Sequence, residues 1–282
     1  MSSESTKRSP FDSKEGALLE RRKVPRPGIL PLADFRNFVC NVPKATREIS
    51  CIGIRQAVLS DLSQLLKIEE ATWSEDARAS AEMLASRIEV FPEGVLCATV
   101  DNRILGFACW EIIIQTPDEI RGSWADLTDH GLIKETHTHN GLTLFGVSLS
   151  ILPEAPNGTI WTISEAAKKL TIRRGLAAAA LGSRIPRYHQ LSEKMDAETY
   201  IRQFKTGRHF DPELNLYKRI GLMPVRVLPN FFPDPASCNY GVLVQWRNPF
   251  KGIRDQLNVW EEYRWFDLWE HRIRRRQRPW QT

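Results

Sequence analysis

What this chain lacks narrows its class before any motif is considered. No stretch approaches the roughly 20 consecutive apolar residues that a membrane-spanning helix needs. The opening residues MSSESTKRSPFDSKEG have no apolar segment of the kind a secretory signal carries. Glu4, Asp12, Glu15 and Glu20 interrupt the basic residues there, which argues against a transit peptide. A cytoplasmic protein without a membrane partner is expected. Cysteine is sparse: Cys40, Cys51, Cys97, Cys109 and Cys238 are an odd number, widely spaced, and none forms a CxxC pair. That pattern argues against a disulfide framework or a structural zinc centre and suits a reducing compartment. No internal repeat is present, and no nucleic-acid motif stands behind the basic residues.

What is present fits a soluble globular chain. At 282 residues, with 42% hydrophobic and 26% charged side chains, it can bury the core of one large domain or two small ones. The net charge of +5 favours anionic partners, among which nucleotides, CoA phosphates and acidic carrier proteins all qualify. Residues 1–48 lack periodicity and crowd Pro25, Pro27 and Pro31 together, so a flexible arm is expected there. Residues 49–250 carry the periodic elements. Ile52 and Ile54 alternate as in a strand. Asp61 and Gln64 make a capping-box-like start for a helix over Leu62, Leu65, Leu66 and Ile68, and a second helix covers Ala81 to Val90. VLCATV and ILGFACWEIII form a hairpin about Asp101-Asn102. The polar stretch Gln115 to Leu142 reads as an insertion or long connection. LTLFGVSLSIL is the next strand, and Thr162 with Glu165 is a capping box opening a helix to about Arg174. LAAAALGSR, small and apolar, is a buried strand. Helices over Ala197 to Lys205 and about Pro212 to Ile220 precede two last strands, MPVRVLPNF and NYGVLVQWR. This order predicts a mixed α/β (α+β) sheet with helices on both faces. Residues 251–282 form a basic tail in which Trp260, Trp265, Trp269 and Trp280 accompany Arg272 and Arg274 to Arg276. Such a segment suits docking on an acidic surface; a solvated, partly helical tail is the plain alternative.

The element order, and GVSLSILPEAPNG running into a capped helix, resemble the acyl-CoA motif of the GNAT acyltransferase superfamily. LNLYKRIGLMPV resembles that superfamily's later helix-to-strand motif with its tyrosine. The longer run from ALGSRIPRYHQ to LVQWRNPF is similar to the GNAT-like loading domains of polyketide synthases of the curacin and saxitoxin type. The resemblance spans about residues 50 to 250. It implies a GNAT fold whose fourth and fifth strands run parallel and splay, admitting the amides of a phosphopantetheine arm as a pseudo-strand. Leu149, Ser150, Ile151, Asn157, Gly158, Thr159 and Thr162 would then line the arm of acyl-CoA (malonyl-CoA or acetyl-CoA) or of a carrier protein. One stretch departs from the family: Pro156-Asn-Gly-Thr-Ile-Trp161 stands where glycines usually let backbone N–H groups approach a pyrophosphate. A weakened grip on free CoA is expected there.

The resemblance also implies roles for single residues. His189 matches the histidine of the decarboxylating loading domains, and a histidine can act as acid or base near neutral pH. The partner threonine does not map cleanly; Thr159 is the leading match, with Ser148 and Ser150 as hydroxyls on the fourth strand. Tyr217 matches the tyrosine that protonates the departing thiolate in many GNAT enzymes. Arg184 and Arg202 could grip a substrate carboxylate by a bidentate contact, and Trp73 could wall the acyl pocket. Each has a plainer alternative: a loop-capping histidine, a core tyrosine, a surface arginine, a core tryptophan. His137 and His139 share a face if extended, but without a third ligand nearby in sequence no metal site is expected. The leading expectation is an enzyme acting on malonyl-type thioesters and supplying starter units to an acyl carrier protein or polyketide synthase module. The alternatives are an acetyl-CoA-dependent N-acetyltransferase of an amine and a non-catalytic acyl-CoA or carrier-binding module.

Overall fold

The computed structural model describes residues 52–251, so the expected arm and, beyond Lys251, the expected tail lie outside the described residues. Seven strands form one sheet: β1 (Gly53–Gln56), β2 (Val95–Val100), β3 (Arg103–Ile113), β4 (Thr143–Ile151), β5 (Ala178–Ser183), β6 (Met223–Leu228) and β7 (Gly241–Arg247). Their order is β1-β2-β3-β4-β5-β7-β6, and only β4 and β5 run parallel. The helices are α1 (Leu62–Thr72), α2 (Ala81–Val90), the short α3 (Trp124–Leu127), α4 (Thr159–Arg173), α5 (Ala197–Lys205) and α6 (Pro212–Arg219). The mixed α/β sheet with helices on both faces is therefore present.

Local chemistry explains where elements begin. Asp101 and Asn102 both take left-handed φ values (48° and 64°), the pattern of a type I′ turn that suits strand twist in the β2–β3 hairpin. Asp61 does not cap α1 through its side chain. Its carboxylate instead grips both Arg55 nitrogens (2.6 and 2.8 Å) and accepts the Val58 N–H (2.9 Å). The helix expected to open at Thr162 opens at Thr159, because the Pro156 carbonyl accepts both the N–H and the hydroxyl of Thr159 and closes a turn earlier. The buried Lys168 ties α4 to the end of α6, donating to the Ile220 carbonyl (2.8 Å) and to Glu165 (2.7 Å).

The insertion from Gln115 to Leu142 is ordered rather than a bare connection. It carries α3, capped by the Ser123 hydroxyl, and buries Ile120, Leu127 and Ile133. Buried Arg87 of α2 donates to the Gly131 carbonyl (2.7 Å), and Ser86 donates to that of Leu132 (2.6 Å). These anchors are single residues without a helical or strand period, so patterning could not have flagged them.

β4 and β5 pair over only four residues, from Thr143↔Ala178 to Gly146↔Leu181. A Cβ on Gly146 would stand 2.8 Å from the Leu181 Cβ, so the absent side chain allows that last close pair. Val147 is then a bulge, because Trp110 faces Gly146 while Cys109 faces Ser148. The Trp124 indole N–H takes the Val147 carbonyl (2.9 Å). Past this point β4 follows β3 alone while β5 follows β7, and the two parallel strands separate.

Phe231 is buried against Gly182 of β5 and Gly241 of β7, filling the space their missing side chains leave. Gly182→Ala would force its Cβ to 2.1 Å from the Phe231 ring, which is buried against Gly241 as well and can move only by repacking. We expect Gly182→Ala to lower unfolding free energy by about 1–3 kcal/mol in urea titrations. Phe231→Leu, harmful by itself, should recover part of that loss in the double variant.

Glu111 of β3 is wholly buried, and neither of its oxygens has a formed hydrogen bond. Burial pushes its pKa up to about 8; Thr136 and Arg87 ease the charge only in part. Folded Glu111 is thus protonated at neutral pH, whereas the unfolded chain ionises it above about pH 4.5. Its contribution to stability is present at low pH and is lost as pH rises toward 8. Glu111→Gln, neutral and isosteric, should raise the thermal midpoint at pH 7 and flatten the decline between pH 5 and 8. The penalty removed is on the order of 3 kcal/mol.

Candidate functional site

From Val147 to Ile151 the edge of β4 that faces β5 has no strand partner, and at the far end of this slot two walls meet. One wall is built from α1 and β4. Leu62, Leu65 and Glu69 share the inward stripe of α1, so its carboxylate is carried into the interior. There Glu69 accepts the Ser150 hydroxyl (2.5 Å) and the Ala79 N–H (2.7 Å), while Ser150 accepts the Trp73 indole N–H (2.9 Å). Ser148, two residues earlier, accepts from Arg87 (3.1 Å), so this face of β4 is the one covered by α1 and α2.

The other wall comes from the end of β5 and from α6. Arg184 follows the last residue of β5 and donates through Nε and Nη2 to a single oxygen of Glu213 (2.9 and 2.6 Å). Buried Asp211 caps α6, accepting the N–H groups of Glu213 and Leu214 (3.1 Å each) and the Tyr200 hydroxyl (2.8 Å). The Arg184 guanidinium lies 5.3 Å from the centre of the Trp73 ring, so an indole fixed to β4 touches a cation fixed to β5. Nη1 of Arg184 makes no hydrogen bond among the described residues.

Burial pushes the Glu213 carboxyl above its ordinary range, against the pull of Arg184. Burial also pushes the Tyr217 phenol up, helped by the neighbouring Glu213. Tyr217 therefore keeps its proton at neutral pH, the form an acid needs.

Of the residues singled out from sequence, the structure joins Trp73, Ser150 and Arg184 directly, with Tyr217 one helical turn from Glu213. Leu149 and Ile151 are half-buried along the slot. Asn157 and Gly158 are exposed at the start of α4. There Thr159 and Thr162 both spend their hydroxyl protons on backbone carbonyls, those of Pro156 (2.8 Å) and Gly158 (3.1 Å). Trp161 is exposed on α4, with Lys168 5.6 Å from its ring. His189 is exposed, and its Nδ1 meets the carbonyls of Pro186 (2.9 Å) and Ala236 (3.1 Å). Two carbonyl partners leave Nδ1 as the donor, so in the neutral ring Nε2 holds the lone pair. Arg202 stands on the exposed face of α5 and bonds Thr199 (2.7 Å), with no contact to the Trp73–Arg184 group. His137 accepts the Ile112 N–H (3.1 Å), and its ring meets that of His139 edge-on at 5.0 Å. A cavity of about 340 Å³ lined by Leu66, Glu70, Glu75, Arg78, Ala79 and Ser80 includes none of the Trp73–Arg184 group.

Sequence reading missed Glu69 and Glu213. A carboxylate on the apolar stripe of α1, and another one turn before Tyr217, were the available signals.

No protein-family model matches the chain. It is 34% identical over 216 residues to the uncharacterized N-acetyltransferase YkwB of Bacillus subtilis, an alignment covering 72% of this chain and 92% of that protein. The chain belongs to the GNAT acyltransferase superfamily. It is also 31% identical over 198 residues to the probable hydrolase YhcX of the same organism, covering 69% of this chain but only 38% of that protein. Among solved structures, the loading GNATL domain of CurA from Lyngbya majuscula superposes with a TM-score of 0.61 at 23% identity, covering 70% of this chain and 98% of that one. The GphF GNAT-like decarboxylase in complex with isobutyryl-CoA gives 0.58 at 22%, covering 70% and 99%. At such identities the two structures establish the GNAT fold. In this superfamily member the Trp73–Arg184 contact stands at the open end of the slot between β4 and β5.

Ser150→Ala would leave buried Glu69 short of a donor and the Trp73 N–H short of an acceptor. Losing both should lower unfolding free energy by about 1–3 kcal/mol in denaturant titrations. Trp73→Phe, which keeps a ring and removes only the N–H, should cost less.

Proposed function

We propose that this chain acts on malonyl-type thioesters, releasing carbon dioxide and passing the acetyl group to the thiol of an acyl carrier protein in polyketide starter-unit loading. The observation that carries this reading is Arg184, a cation seated on the Trp73 ring at the acyl end of the slot with N–H groups to spare. Guanidinium is the side chain best matched to a carboxylate. The fold likeness to a polyketide loading domain and to a GNAT-like decarboxylase supports it. The bond between the acyl α-carbon and the carboxylate breaks, carbon dioxide departs, and the electron pair moves onto the thioester oxygen as an enolate. Unpaired β4 N–H groups past the Val147 bulge are the donors available to that oxygen, since the hydroxyls of Thr159 and Ser150 already donate elsewhere. His189 delivers a proton to the carbon and regains one from solvent. In transfer, the carrier thiolate attacks the acetyl thioester and Tyr217 protonates the departing thiolate. The altered Pro156–Trp161 loop favours a carrier-borne arm over free CoA.

A second reading is an acetyl-CoA-dependent N-acetyltransferase of an amine. The name of the relative YkwB favours it, and so does Glu213, whose burial-raised pKa suits a carboxylate that takes the ammonium proton.

Incubation with malonyl-CoA, malonyl-carrier and acetyl-CoA, followed by mass spectrometry of the thioester, distinguishes the readings. The expected outcome is carbon dioxide release from the malonyl thioester, lowered by about 100-fold or more in His189→Ala. Tyr217→Phe should slow only acyl transfer. Intact malonyl thioesters together with acetylation of an amine would establish the second reading. No change in either thioester would point to a non-catalytic binding module.

A further inference from the structure

Arg184 does not wait at the slot as a free cation. Its Nε and Nη2 converge on one oxygen, Oε1 of Glu213, although a guanidinium fork is shaped to hold two. Glu213 occupies the guanidinium as a bound carboxylate would, through a one-oxygen contact weaker than a fork-to-fork pair. Its surroundings also disfavour its charge. Every group that faces it counts: Arg184 favours the anion, while burial and the carboxylates Asp211 and Asp234 oppose it. Tyr217 stands one turn further along α6, and its hydroxyl makes no hydrogen bond among the described residues. Arg184 thus pairs with Glu213 alone, while Asp211 and Asp234 oppose the Glu213 charge, in a place where a further carboxylate would arrive with the substrate.

We propose that Glu213 is an internal stand-in for the substrate's carboxylate: it neutralises Arg184 in the empty site and yields it to a thioester whose acyl chain ends in a free carboxylate. The proposal rests on the reading that Arg184 receives a malonyl-type acyl group. The incoming carboxylate takes both fork positions of the guanidinium and leaves Glu213 without its cation. A half-buried carboxylate beside other carboxylates then binds a proton from solvent. Binding of a carboxylate-bearing thioester is therefore coupled to proton uptake, whereas binding of a neutral acyl thioester leaves the Arg184–Glu213 pair intact. Glu213 accordingly sets specificity: it keeps an uncompensated cation from taking stray anions, and only a better-fitting carboxylate displaces it.

The test is calorimetric titration of the full chain with two stable CoA thioethers. S-(2-carboxyethyl)-CoA has the length and charge of a malonyl thioester but no carbon dioxide to lose, and S-propyl-CoA is its neutral counterpart. Titrations at pH 7 in buffers of different ionisation enthalpy count the protons exchanged. In the wild type, S-(2-carboxyethyl)-CoA should bind with net proton uptake and S-propyl-CoA without it. Glu213→Gln should bind the carboxylated probe about 10-fold tighter with the uptake abolished, and the neutral probe within about twofold of wild type. Glu213→Ala should show the same pattern, which separates loss of the competing charge from a fault of the amide. Arg184→Gln should lose the preference for the carboxylated probe. If that preference depends on Arg184 but is unchanged in affinity and proton uptake by both Glu213 variants, the stand-in role is wrong while carboxylate recognition survives. If the wild type binds the two probes alike and Arg184→Gln changes nothing, both the stand-in role and the malonyl reading fall.

Discussion

The site depends on one constraint: β4 and β5 stop pairing after Gly146. Two parallel strands in the middle of a sheet normally continue together, because each unpaired backbone group buried between them costs free energy. Here the pairing ends at a bulge, and the bulge is held. Gly146 lets Leu181 close in for the last pair, Val147 drops out of register with β3, and the Trp124 indole takes the carbonyl that the bulge turns away. Trp124 belongs to the insertion between β3 and β4, which α2 anchors through Arg87 and Ser86. A segment that reads as a polar connection thus helps to hold the slot open. The backbone groups it frees are those a pantetheine arm can satisfy.

Across the opening, the two strands communicate through side chains instead of ladder bonds. Ser150 fixes Trp73 to β4, and Arg184 directly follows β5; their cation–π contact spans the gap. Each partner is oriented by a carboxylate, Glu69 behind Ser150 and Glu213 beside Arg184. The arrangement places one positive charge, Arg184, against the Trp73 ring and beside Glu213 at the open end of the slot.

The GNAT superfamily hosts acyl transfer to amines and thiols on one scaffold, so membership by itself does not choose among acceptors. The two B. subtilis relatives illustrate this: one is named an N-acetyltransferase, the other a probable hydrolase in which the matched region is 38% of the length. The choice rests on side chains at the slot, where Trp73, Arg184 and Glu213 meet. The backbone carbonyls around His189 orient its ring and leave Nε2 without a partner among the described residues.

The sequence alone determined the strand and helix order, because alternation in β1 and β4, helical spacing in α1 and the turn between β2 and β3 are local properties. It also marked Trp73, Ser150, Arg184 and Tyr217, since short motifs keep their spacing wherever the chain goes. It misplaced the start of α4 by reading Thr162 as the cap, because the competing turn at Pro156 depends on a carbonyl position that no pattern encodes. What only the tertiary structure decided are relations between distant segments. Glu69 meets Ser150 across 81 positions and Arg184 meets Glu213 across 29, and no period or propensity links such pairs. Glu111 shows the same limit: a carboxylate inside an apolar run is visible in the sequence, but its raised pKa follows from the burial that packing imposes.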